Sequence, residues 1–104
     1  MEIRVNTDSH ITGSQDMNEK YSAELKKKLN RFSEYITSVE VFFADENRGK
    51  FGIDDKRCTI EVRPKNMSNE AVSYYAGTLE HAFNGAIDKM KKLMDTRVGK
   101  MQSR

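Results

Sequence analysis

Cys58, His10 and His81 are the chain's one thiol and two imidazoles. DENRGKFGIDD, starting at Asp45, gathers the oxygen donors Asp45, Asn47, Asp54 and Asp55. A catalytic thiol needs a base beside it, and a zinc or copper site needs ligands at metal spacing. Neither histidine stands at such a spacing, and Cys58 falls on an alternating apolar run where a small buried side chain is the simpler reading. A calcium loop needs glycine at its sixth position and glutamate at its twelfth, between two helices. Those positions are Lys50 and Lys56 here, between strands. The sequence has no P-loop and no GxGxxG, and its acids are scattered with no acid–base pair to single out. The expectation is a protein that is not an enzyme, with no metal, no cofactor and no small-molecule substrate.

RGKFGIDDKR, Arg48 to Arg57, resembles the signature strand of an RNA-recognition module. That strand must carry its aromatics on a central β-strand so that bases can stack on the sheet. Phe51 is instead flanked by Gly49 and Gly52 and followed by Asp54 and Asp55, and Lys50 interrupts the motif. The composition describes a long hairpin loop.

The remaining chemistry is cationic. On the last helical segment, with Leu79 at zero and 100° per residue, Lys92, Lys89 and Lys100 fall at about 220°, 280° and 300°. Glu80, Asp88 and Asp95 fall at about 100° to 180°, joined by Lys91. From Lys89 to Arg104 there are six basic residues, Arg97 among them, and one acid. On the first helical segment Lys20, Lys27 and Arg31 lie within about 40° of one another with Lys28 beside them, and Glu24 interrupts the patch. If the two helices lie side by side, two basic flanks face each other across a groove, an electrostatic footprint for phosphate. The bland alternative is a pair of solvated helix faces.

Residues 1–7 alternate, with Ile3 and Val5 on one side, and read as a half-buried strand. A polar turn, DSHITGSQ, follows. Asp16, three residues before Glu19, reads as a helix N-cap with its capping-box partner. Met17, Tyr21, Leu25, Leu29, Phe32 and Ile36 form one helical stripe, with the helix ending near Tyr35. Val39, Val41 and Phe43 share a face of a second strand. Cys58, Ile60 and Val62 point inward on a third that Pro64 stops. Val72, Tyr74 and Ala76 point inward on a fourth. Thr78 caps a final helix lined by Leu79, Ala82, Phe83, Ala86, Ile87, Met90, Leu93 and Met94, and Gly99 marks its end. The expected fold is α+β, β-α-β-β-β-α: a four-stranded mixed sheet with two helices packed on one face. Strands two to four form an antiparallel meander, and the first two strands run parallel across a right-handed crossover.

At 104 residues with 37% apolar and 33% charged content, the chain is expected to be one domain spanning 1–104, with 100–104 a frayed tail. No segment approaches the roughly 20 apolar residues of a membrane span. The first residues carry no basic and apolar leader pattern, and a lone cysteine suits a reducing compartment, so the expected place is the cytoplasm. Net charge is only +2, so any affinity for nucleic acid must come from how charge is arranged.

RFSEYITSVEVFF, leading from the first helix into the second strand, and GAIDKMKKLM in the last helix resemble the ribosome hibernation-promoting and ribosome-associated inhibitor proteins, the sigma-54 modulation family; VNTDSHI, DENRGKFGIDDKRC and AVSYYAGTLEHAFNGAIDK further resemble a compact single-domain branch of it. The Asp-Met-Tyr segment common at the start of that family's second helix reads Thr78-Leu79-Glu80 here. The resemblance implies a fold similar to a double-stranded-RNA-binding domain with an added strand. It also implies a monomer that binds the small ribosomal subunit and its ribosomal RNA near the decoding centre, and blocks translation by steric occlusion as part of a stress response. By position it assigns RNA contact to Lys89, Lys92, Arg97 and Lys100 on the last helix, with Lys27, Lys28 and Arg31 as partners on the first; the spacing of the basic patch adds Lys20 to them. Two other readings stay open: a general structured-RNA-binding module acting off the ribosome, and a protein-interaction domain using the long hairpin.

Overall fold

In the computed structural model of the chain, which describes residues 1–8, 15–45 and 56–102, the first strand, β1 (Glu2–Thr7), is followed by α1 (Gln15–Leu29). A 3-10 helix (Asn30–Tyr35) leads directly into β2 (Ile36–Asp45). Then come β3 (Lys56–Pro64), β4 (Glu70–Ala76) and α2 (Leu79–Gln102). The strands lie in the order β1-β2-β3-β4. β1 runs parallel to β2, and β2, β3 and β4 form an antiparallel meander. This is the expected α+β arrangement. The hairpin at 46–55, with the Phe51 and acidic-loop readings, the turn at 9–14 with His10, and the last two residues of the tail lie outside the described residues.

Strand alternation decides which side of the sheet is dry. Val39, Val41, Phe43, Cys58, Ile60 and Val62 are all buried, while Arg4, Phe42 and Arg63 between or beside them are exposed. Thr59 and Ser73, facing each other on the open side, share a hydroxyl hydrogen bond of 2.7 Å. α1 packs against β1, and α2 covers β3 and β4. The two helices are joined to the sheet at one point by three rings. Tyr21 of α1 lies 4.8 Å from Phe43 of β2 and 4.8 Å from Phe83 of α2, centroid to centroid. Tilted ring contacts at this distance contribute beyond their area burial, by about 0.5–1.5 kcal/mol each.

Ile36 is not the last turn of a helix but the first residue of β2. It stays buried because the register between β2 and β3 slips at Ile36 to Ser38. A bulge adds one residue to one strand, so Ile36 and Val39, three apart, both face the core. Pro64 pairs opposite Ile36 at the strand's end, where its missing N–H costs least.

Three local expectations are corrected. α1 begins at Gln15, so Asp16 lies inside the first turn rather than at the cap, where it still complements the helix dipole. The α-helical hydrogen bonding stops at Leu29 and the stripe's continuation to Tyr35 is 3-10. α2 continues past Gly99 to Gln102, because Gly99 is exposed with open space around it and costs the helix only about 1 kcal/mol relative to alanine. The cap at Thr78 is as expected: its hydroxyl accepts the His81 N–H at 3.1 Å. Tyr74 shares the inward parity of Val72 and Ala76, yet is 41% exposed, because β4 is the sheet's edge strand and the core ends there.

Ile60 is fully enclosed at the centre of the sheet. Ile60→Asp is expected to abolish the cooperative thermal transition, since an unpaired buried charge costs several kcal/mol; circular dichroism melting checks this. Burial pushes the Cys58 thiol up to about 12 from 9.0, and raises Tyr21 through burial first and then the nearby charge of Glu80. The unfolded thiol therefore ionises before the native one. Stability is fully present below pH 9 and falls as pH rises toward 12. In chemical denaturation across that range, Cys58→Ala is expected to flatten the fall measurably.

Candidate nucleic-acid interface

Helix periodicity gives α1 one basic flank, and the fold decides what that flank meets. Tyr21 touches Phe83, Lys28 donates to Asn84 Oδ1 at 3.4 Å, and Arg31, just past the end of α1, pairs with Asp95 at 2.6 Å. Contacts advance in the same direction along both helices, so α1 and α2 lie side by side and run the same way. The basic flank of α1 faces α2. The flank of α2 that answers it is the one carrying Asn84 and Asp95, at about 140° and 160° from Leu79. Lys28 and Arg31 meet α2 through one hydrogen bond to an amide and one ion pair.

The opposite flank of α2 turns to β4. Lys89 donates to the Ser73 carbonyl at 2.9 Å and stands 5.8 Å from the centre of the Tyr74 ring. Arg97 pairs with Glu70 at 2.6 Å, both half-buried. The two basic flanks therefore do not face each other across one groove, as the sequence led us to expect. A helical wheel gives the angle between two residues of a helix, but not its rotation against its neighbours. The stripe of Phe83, Met90 and Met94 sets that rotation, and it sends Lys89 and Arg97 to the sheet's edge and Asp95 toward α1.

What remains is a basic outer surface across the helix layer. Lys20 and Lys27 are exposed on α1, with the Lys20 ammonium 5.5 Å from the Tyr21 ring centre. Lys92 and Lys100 are exposed on α2. Among the described residues, the ammonium groups of Lys27 and Lys92 make no hydrogen bond or ion pair. Arg31 keeps one face on Phe32, 4.6 Å from its centroid, while paired with Asp95. Such a surface can bind phosphate through point charges presented on rigid helices. Cys58 is buried and held protonated by its surroundings, and no three metal-ligating side chains cluster among the described residues.

The contact between Tyr74 and Gly85 was not legible in the sequence. A Cβ built on Gly85 would stand 2.3 Å from the Tyr74 ring, so only glycine admits the ring this close to the helix. The signal lay in a glycine placed inside a strongly periodic helix, which marks a close approach.

No curated protein sequence matches the chain. Solved structures that share its fold include the Thermus thermophilus Protein Y N-terminal domain and a ribosomal subunit interface protein from Coxiella burnetii. The first is 16% identical, with a TM-score of 0.69 over 89% of this chain and 94% of that one. The second is 15% identical, with a TM-score of 0.66 over the whole of both. The sequence profile of sigma 54 modulation protein / S30EA ribosomal protein matches residues 5–102, nearly the full length. The chain belongs to the sigma 54 modulation protein / S30EA ribosomal protein family.

Proposed function

We propose that this protein binds the small ribosomal subunit near the decoding centre through its basic helix surface, and inhibits translation by occupying space that RNA ligands need. The observation that carries the reading is the pair of unengaged lysines, Lys27 and Lys92, on the helix layer of a chain belonging to this family. The fold shared with a ribosomal subunit interface protein supports it. Lys20, Lys27 and Lys92 make the main phosphate contacts in this reading, with Lys100 extending the surface along α2. Lys28, Arg31, Lys89 and Arg97 hold the elements in place and offer their remaining N–H groups to the same RNA. Binding is stoichiometric and without turnover. No helix among the described residues is long and apolar enough to cross a membrane.

Affinity carried by phosphate contacts weakens with salt as counterions are retained. With about four phosphates neutralised, log affinity against log salt is expected to slope by about −3. Lys27→Glu together with Lys92→Glu is expected to flatten that slope by about two and to relieve inhibition of translation in a cell-free assay. The melting temperature should stay near the parent's, since neither ammonium is engaged in the fold. Filter binding to isolated small subunits at several salt concentrations makes the measurement. Parental affinity in the double variant at every salt would remove the helix surface as the site.

A further inference from the structure

Among the described residues, Phe42, Tyr74 and Tyr75 are the large apolar side chains left exposed, at 41%, 41% and 49%. Tyr74 differs in how firmly it is held. One side of its ring lies on the backbone of α2 at Gly85, where an added Cβ would meet Cγ, Cδ2 and Cε2 at 2.3 to 2.5 Å. The Lys89 ammonium, fixed by the Ser73 carbonyl, stands over the same ring. With both contacts made, the ring still keeps 41% of its surface exposed. Beside it lies an open cleft of about 490 Å³ between the end of β4 and the first turns of α2, with Tyr74, His81, Asn84 and Asp88 in its lining.

The lining offers complementary polar groups. Asp88 can only accept hydrogen bonds when ionised. Asn84 already uses its Oδ1 on Lys28, which leaves its amide N–H groups as donors. Donors and acceptors beside a fixed aromatic surface match the hydrogen-bonding edge and the flat face of an unstacked nucleobase. Lys89, at the ring, and Lys92, three residues on, supply the positive charge that the adjoining phosphates require. We infer that this cleft takes one unstacked base of single-stranded RNA, stacked on Tyr74 and read at its edge by Asn84 and Asp88. The inference rests on the RNA-binding reading above and adds to it a contact that does not depend on salt.

A short single-stranded oligoribonucleotide carrying one 2-aminopurine tests it, by fluorescence quenching and anisotropy at low and high salt. The parent and Tyr74→Phe are expected to quench the base. Tyr74→Leu, which keeps apolar cover over Gly85, is expected to lose the quench and to bind about tenfold more weakly at both salts. Quenching and affinity equal to the parent's in Tyr74→Leu overturn the inference. If Tyr74→Leu melts early, Asp88→Ala on the exposed side of α2 replaces it. There the parent's preference for bases bearing an exocyclic amine over uracil should vanish, and an unchanged preference overturns the inference equally. Small-subunit binding that persists without quenching defeats the cleft alone. Loss of salt-dependent binding to small subunits defeats the broader reading instead.

Discussion

Everything in this molecule depends on covering one face of a four-stranded sheet with two helices that each reach only part of it. The meeting of Tyr21, Phe43 and Phe83 solves this, because it is the place where α1, α2 and the sheet touch at once. From that point the apolar stripe of α2 runs over β3 and β4 and ends at Val98, while Leu25, Leu29 and Phe32 close the side toward β1 and β2. With those stripes seated, neither helix can rotate. The charged flanks inherit their neighbours from the packing of rings and methionines, and charge then confirms a geometry it did not choose. Arg31 with Asp95 and Arg97 with Glu70 are such confirmations. At their exposures the outer pair is worth little, and the half-buried one somewhat more.

Periodicity made the fold legible. Alternation at Cys58, Ile60 and Val62, and the three-and-four spacing of the α2 stripe, are direct imprints of burial. Three features left weaker imprints. The bulge near Ser38 breaks the period of two, so Ile36 reads as the tail of a helix when it opens a strand. Gly99 looks like a stop signal, but an exposed glycine lets a helix pass at modest cost. Alternation assigned Tyr74 to the right face but carries no information on how near the sheet's edge a strand lies.

The candidate site was legible as a list of cations and not as an arrangement. Seven basic positions could be named from spacing and Arg97 from the family resemblance, and the structure sorts six of them by what they touch. Lys89 and Arg97 reach sheet residues, Lys28 and Arg31 reach the neighbouring helix, and Lys27 and Lys92 reach only outward. Sorting of this kind requires knowing which helix lies on which side, a three-dimensional fact set by the core. The Tyr74 shelf needed more still, since it joins a strand residue to a glycine eleven positions later through backbone contact.

The Lys89 ammonium on the Ser73 carbonyl has a meaning for what happens when many copies of the chain meet. β4 ends the sheet, and a bare terminal strand is a template on which another strand can be laid. A cation seated on its main chain, with Arg97 anchored a little further along at Glu70, puts charge where an incoming strand would need a clean ladder. The same lysine that steadies an aromatic ring thus acts as a chain terminator in the polymer sense.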